Sequence, residues 1–180
     1  VLDNISYSHG GTSLTDEQKA SLSITFSDQE NGEYSEKLTR RDATAGAVTY
    51  YYKVTDSSGN FGDFTGSFTA TINPAELELS SALPDNLTKP YDGSTALPGN
   101  AAPEDTSEGI VDSDRDNVKI EVSAEYADKN AAAGKEIKVT YKITFSGNSA
   151  GNYSYDGDKT EGTETGSTVW SVTVTAGETG

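Results

Sequence analysis

Asp112-Ser-Asp-Arg-Asp-Asn117 sets three carboxylates at alternate positions. Alternate acids can converge on one hard cation, and Ca²⁺ takes about six to eight oxygen ligands. Asp112, Asp114 and Asp116 are therefore the candidate metal ligands, and Ca²⁺ is the one candidate cofactor. The run departs from a calcium loop in three ways. Asn117 stands at the sixth position where Gly belongs, Ser123 stands at the twelfth in place of Glu, and Arg115 puts a positive charge inside the cage. A solvated turn feeding a strand at Val118 accounts for the same residues without a metal.

Other chemistry is limited by what the chain lacks. His9 is the single histidine and there is no cysteine. No histidine-based triad, zinc cluster, thiol nucleophile or disulfide can be assembled from such a set. Acidic pairs arise by number alone among 29 acids, and none is marked as set in an apolar cleft, as glycoside hydrolysis requires. With no recognisable catalytic motif, no enzymatic activity and no catalytic residue are expected. Lys53, Lys89 and Lys135 could each donate to an amide cross-link with an asparagine, but no acceptor is marked.

Ten tyrosines and one tryptophan stand out in so polar a chain. Tyr50, Tyr52, Tyr126 and Tyr141 run in phase with aliphatic neighbours, which assigns them to core or core-edge packing. Tyr51 and Trp170 read as out of phase, so they are the candidate ligand-binding aromatics, exposed rings that could stack on a sugar or a partner protein. The net charge of -16 opposes nucleic-acid binding, which needs a basic face to displace counterions. No run is long and apolar enough to cross a bilayer as a helix, and no membrane insertion is expected of this segment.

Most elements that must position these residues are strands. Ala47 to Thr55 and Glu136 to Phe145 alternate apolar and polar residues with a period of two, as do Val118 to Tyr126 and Gly66 to Ile72. Leu22 to Phe26 and Val169 to Thr175 read as further strands, and a short one is expected around Tyr34 to Leu38. Thr15 followed by Gln18 is a capping-box pattern that predicts about one helical turn. Asp56 to Asn60 reads as a turn, Leu97 to Ile110 as a long loop, and Gly157 to Gly166 as a mobile hairpin loop.

The two halves repeat each other in order. Ala45-Gly-Ala-Val-Thr-Tyr-Tyr-Tyr-Lys-Val-Thr55 is answered by Ala133-Gly-Lys-Glu-Ile-Lys-Val-Thr-Tyr-Lys-Ile-Thr144, and Ser58-Gly-Asn-Phe61 by Ala150-Gly-Asn-Tyr153. We expect two tandem all-β domains, residues 1–75 and 76–180, each a small antiparallel β-sandwich of Ig-like form. The alternative is a pair of β-grasp-like modules with a helix near Asp16 to Ala20 across a mixed sheet.

Lys89-Pro-Tyr-Asp-Gly-Ser-Thr95, Asp116-Asn-Val118, Ala124-Glu-Tyr-Ala-Asp-Lys-Asn130, Gly134-Lys135 and Ser146-Gly-Asn-Ser-Ala-Gly-Asn-Tyr153 together resemble the YDG domain, from about Leu83 to Thr175. The first half resembles a diverged bacterial Ig-like or MBG-type repeat through its Ala45–Thr55 run and its Thr71-Ile-Asn-Pro-Ala75 ending. It has Ser-His-Gly after Tyr7 in place of Asp-Gly. The resemblance implies tandem modules of a bacterial cell-surface or secreted adhesin-like protein, and it implies no catalytic residues.

Two functions follow as expectations. One is a stalk or spacer segment, with adjacent repeats of the same parent chain as its neighbours. The other is an adhesin module that binds a host or matrix glycan or protein. The abrupt ends lead us to expect a segment of a longer protein.

Overall fold

The structure is a computed structural model in which residues 6–176 are described. It is nearly all β, built from several small and mainly antiparallel sheets, as the alternating runs require. The chain divides into two compact units after Ile72.

In the first unit, β1 (Ser8–His9) and β2 (Thr12–Ser13) form a short hairpin. Helix α1 (Asp16–Ala20) starts on the expected capping box: Gln18 N donates to Thr15 Oγ1 at 3.3 Å, and Thr15 N donates to Gln18 Oε1 at 2.9 Å. Asp16 and Glu17 in the first turn suit the positive end of the helix. The helix buries no residue, so it does not pack across a sheet in the manner of a β-grasp. Strands β3 (Leu22–Ser27), β4 (Val48–Asp56) and β5 (Phe64–Ala70) form one antiparallel sheet with β4 at its centre. The strand expected around Tyr34 reduces to a single bridge between Phe26 and Ser35. Glu33, Glu36 and Lys37 leave that segment too few apolar residues to line a face. Nothing in this unit supports an Ig-like arrangement.

The second unit opens with β6 (Ala75–Glu76), β7 (Ser81–Ala82) and β8 (Glu104–Asp105). Its main sheet comprises β9 (Val118–Tyr126), β10 (Ile137–Phe145), β12 (Thr160–Glu164) and β13 (Ser167–Ala176), while β11 (Tyr153–Ser154) pairs in parallel with β6. The order is β12-β13-β10-β9, all antiparallel. Gly157 to Gly166, expected as a mobile loop, contributes edge strand β12. Its turn is Thr165-Gly166, with φ of 48° and 83°, the left-handed backbone that matches the twist of a two-residue hairpin.

One face of the main sheet holds the core. Ile137, Val139, Tyr141, Ile143 and Phe145 on β10 are all buried, flanked by Val118 and Tyr126 on β9 and by Trp170 and Val172 on β13. Leu77 and Leu97 close over them, with Leu79, Leu83, Leu87 and Ile110 packed partly buried alongside. The first unit has no comparable cluster. Among its described residues only Ser27, Thr44 and Tyr50 are buried.

This contrast predicts unequal costs for the same deletion. Ile143 is fully buried, so Ile143→Ala should destabilise the second unit by about 2–5 kcal/mol. Val54 is only half-buried, and Val54→Ala should cost clearly less. Denaturant unfolding of the full chain checks both. Trp170, the single tryptophan, reports on the second unit by fluorescence, and circular dichroism reports on the whole.

Candidate functional site

The densest group of chemistry-bearing side chains gathers beside the C-terminal end of β9. Two segments meet there: the turn from Lys89 to Thr95 and the loop from Ala127 to Lys135. Between them lies an open cleft of about 500 Å³, lined by Leu87, Lys89, Tyr91, Asp92, Asp128 and Lys135 among others.

Local chemistry explains the first segment. Asp92 accepts from Ser94 N at 2.9 Å, closing a turn of the kind that Asp side chains make with their own backbone. Gly93 takes φ of 77°, where a side chain would be strained. Lys89 Nζ donates to both oxygens of Asp92, at 2.9 and 3.0 Å, and to Ser94 Oγ at 2.9 Å. The turn is then docked on the sheet edge. Tyr126 N donates to Thr95 O at 2.9 Å, and Thr95 Oγ1 donates to Glu125 at 2.7 Å. Tyr126 sends its hydroxyl to Leu87 O and lies under the Lys89 ammonium, 5.6 Å from the ring centre.

The second segment repeats the device. Asp128 accepts from Asn130 N at 2.7 Å and from Lys135 Nζ, and Lys135 Nζ also reaches Asn130 O at 2.8 Å. The side chains of Lys89 and Lys135 are only 15% and 13% exposed, while both carboxylates stay half open to solvent. Each lysine thus buries its aliphatic stem and holds one loop by its tip.

These pairings fix the charge states. Asp92 is held down to about 2, first by the Lys89 hydrogen bond and then by the Ser94 backbone. Asp128 is lowered by Lys135 and then by Asn130. General acid catalysis near neutral pH needs a carboxyl shifted upward, and these two move the other way. The cleft therefore presents two lysine–aspartate pairs and one open ring, Tyr91, at 67% exposure. Tyr91 was legible only as part of the motif; its neighbours Pro90 and Asp92-Gly93 were the signal that it sits on a turn.

The proposed metal ligands are not brought together. Asp112, Asp114 and Asp116 lie on and just after a 3₁₀ turn, Asp112–Asp114. Asp112 pairs with Arg115 Nε at 2.9 Å, and Asp114 accepts from the Tyr153 hydroxyl at 3.1 Å. No group of three or more His, Asp or Glu among the described residues is arranged to hold a metal.

Trp170 is the clearest correction among the aromatics. It is 4% exposed, pairs across the sheet with Ile143 and meets the Phe145 ring edge-on at 4.5 Å, so it belongs to the core and not to a surface. The Lys159 ammonium covers it at 3.4 Å. Tyr51 does lie on the face opposite Tyr50 and Tyr52, where it is half-buried between β3 and β5 partners Ser27 and Ser67. The three lysines considered for a cross-link sit in ion pairs instead, Lys53 with Asp63, Lys89 with Asp92 and Lys135 with Asp128.

Loops pinned by lysine–aspartate pairs on the edge of a small antiparallel sheet define a β module whose motif holds its own chain. A model of the YDG domain matches residues 73–163, and the chain belongs to that family. The matched span contains every motif named above, from Lys89 to Tyr153. It does not extend to the first unit, and nothing found supports the Ig-like or MBG-type repeat expected there. No curated protein and no solved structure matches the chain.

Two outcomes are expected. A carboxyl whose value is lowered on folding stabilises the fold above its ordinary value, and that contribution is lost as pH falls through the folded one. The melting temperature should therefore drop between about pH 3.8 and about 2, and Asp92→Asn should flatten part of that drop. Replacing Ca²⁺ by EDTA at constant ionic strength should leave the melting temperature unchanged, whereas a calcium-specific rise would show Asp112, Asp114 and Asp116 acting as a site.

Proposed function

We propose that this chain is a non-catalytic repeat segment of a bacterial cell-surface protein and serves as a stalk or spacer in adhesion. One observation carries the reading: the motif residues are engaged with one another. Lys89, Asp92, Tyr126, Asp128 and Lys135 hold two loops against a sheet edge, and each lysine is spent on the aspartate of its own loop. A motif of that kind serves the persistence of a module, and persistence is what a spacer needs.

Family membership and the surface composition support the same function. The motif resemblance from Lys89 to Tyr153 implies a module of a tandem bacterial surface protein, and a strongly acidic, solvated exterior suits an extracellular segment flanked by further repeats. The antiparallel ladders of β9, β10 and β13 run nine residue pairs each, which gives the second unit cooperative resistance to a pull.

Stretching single molecules of the full chain by their ends tests the role. The second unit should give way in one event and at higher force than the first, and Lys135→Met should lower that force. Gradual extension with no discrete event would remove the load-bearing reading.

A further inference from the structure

Tyr-Asp-Gly occurs twice in the second unit, as Tyr91-Asp92-Gly93 and as Tyr155-Asp156-Gly157, and the two copies are held in opposite ways. In the first copy the carboxylate is tied. Asp92 Oδ1 accepts from Ser94 N, Ser94 Oγ and Lys89 Nζ, each at 2.9 Å, and Oδ2 accepts from Lys89 Nζ at 3.0 Å. The tyrosine of that copy stands open, at 67% exposure. In the second copy the tyrosine is tied and the carboxylate is not. Tyr155 packs partly buried against the core, and its ring lies so close to Gly157 that an added Cβ would meet it at 2.5 Å. Asp156 and Gly157 are exposed, and the Asp156 carboxyl has no hydrogen bond or ion pair among the described residues.

The contrast matters because an aspartate followed by glycine can reroute the main chain through its own side chain. Glycine has no Cβ to hinder its amide from reaching the preceding carboxyl, and the fold requires glycine at both steps. Gly93 takes φ of 77°, where a side chain would be strained, and the Tyr155 ring fills the space of a side chain at Gly157. Neither glycine amide makes a hydrogen bond among the described residues. The nucleophile is equally free in the two copies, so the carboxyl decides. Ring closure expels one carboxyl oxygen as water, which a protonated and unheld carboxyl does most readily. At Asp92 closure would break the bonds to Lys89 and Ser94. Those same bonds hold this carboxyl down to about 2, so its protonated form is scarce at neutral pH.

We propose that Asp156-Gly157 is a site of spontaneous isomerisation to isoaspartate, and that Lys89 protects the matching step at Asp92-Gly93. Gly157 N attacks the protonated Asp156 Cγ. The N–Cγ bond forms, the Cγ–OH bond breaks, and the hydroxyl leaves with the amide proton as water. A second water then opens the cyclic imide. Addition at the Asp156 main-chain carbonyl breaks its bond to Gly157 N, and the chain continues through Cγ with no net change in mass. The product carries an extra methylene in the main chain between β11 and β12. On one side Ser154 O accepts from Leu77 N at 2.9 Å, and on the other the Lys159 ammonium covers Trp170 at 3.4 Å. The added length falls between these two fastened points and loosens edge strand β12. This inference stands apart from the spacer reading and is tested by different measurements.

The full chain is aged near neutral pH at physiological temperature and then digested with an endoprotease that cleaves before aspartate but not before isoaspartate. Peptide mapping should show isoaspartate at position 156 accumulating at least about tenfold faster than at position 92. Deamidation at Asn31-Gly32 raises the mass and is read apart from isomerisation, which does not. In denaturant the two steps should react at similar rates, because their Tyr-Asp-Gly sequence is shared and only the fold separates them. Lys89→Met, with circular dichroism to show that it is folded, should speed the reaction at Asp92 and leave Asp156 unchanged. Asp156→Glu should remove the product and any slow change in Trp170 fluorescence that accompanies it. The proposal fails if the folded chain reacts equally at the two steps, or faster at Asp92. It fails equally if the difference persists in denaturant, and the role of Lys89 falls if folded Lys89→Met leaves Asp92 as slow as before.

Discussion

Ile137, Val139, Tyr141, Ile143 and Phe145 leave water together on one face of β10, and the second unit is organised by what covers them. Each such burial is worth about 1.5–3 kcal/mol, so the face cannot remain open without losing most of the unit's stability. The cover is not a second regular sheet. It is the irregular chain from Ala75 to Val111, whose backbone groups still need partners once they are near the core. Short pairings supply some: β6 on β11, β7 on β8, and the bridge between Glu78 and Glu108. Tyrosines supply others. Tyr126 donates to Leu87 O, Tyr141 donates to Ser81 Oγ at 2.9 Å, and Tyr153 accepts from Val111 N at 3.2 Å. Three buried rings thus add apolar area to the core and fasten the cover at three separate points. That dual use accounts for tyrosine in positions where phenylalanine would fill the same volume.

The lysine–aspartate pairs act beside this core and not through energy alone. Ion pairs with half-open carboxylates contribute little to stability, about 0–1 kcal/mol. What they determine is where two loops sit. Lys89 ties the Asp92 turn to itself while Thr95 joins it to the edge of β9, and Lys135 closes the loop that hands β9 to β10. An exposed edge strand invites unwanted pairing, and the docked turn covers part of that edge at Ala96 and Glu125. Motif, edge protection and strand connection are therefore one local structure.

How much of this was legible in the sequence depended on whether the information was local. Strands β4, β9 and β10 follow directly from alternation, and the capping box at Thr15 and Gln18 is a three-residue spacing. Trp170 was misread because β13 buries residues on both faces. Counting from Val169 puts Trp170 out of phase, yet Trp170 and Val172 share the core face and Val169 is buried on the other. Strand β12 carries Thr, Glu and Gly with every residue exposed, so its sequence holds no burial signal at all. Asp112, Asp114 and Asp116 had the composition of a cation loop, but Arg115 and Tyr153 take up two of the three carboxylates. In the clamp, the lysines were visible as chemistry while their partners were not, since pairing within the turn is a matter of conformation.

The first unit shows how the same register survives when the core is reduced. Asp56 occupies the ladder position that Phe145 holds in the second unit, opposite Leu22 where Val118 stands. There the carboxylate accepts from Ser58 N at 2.9 Å, Asn60 N at 2.8 Å and Phe61 N at 2.9 Å. Hydrogen bonds from Ser21 and Ser58 hold it well below the usual carboxylate range. Where the second unit has a buried ring, the first has a charged group that binds three nearby residues, Ser58, Asn60 and Phe61. These bonds fix the turn after β4. Phe61 and Phe64 line the apolar face of this unit together with Tyr7, His9 and Leu14, and the His9 and Phe61 rings meet at 5.6 Å. Hydrogen bonds within one turn thus do for the end of β4 what burial does for the end of β10.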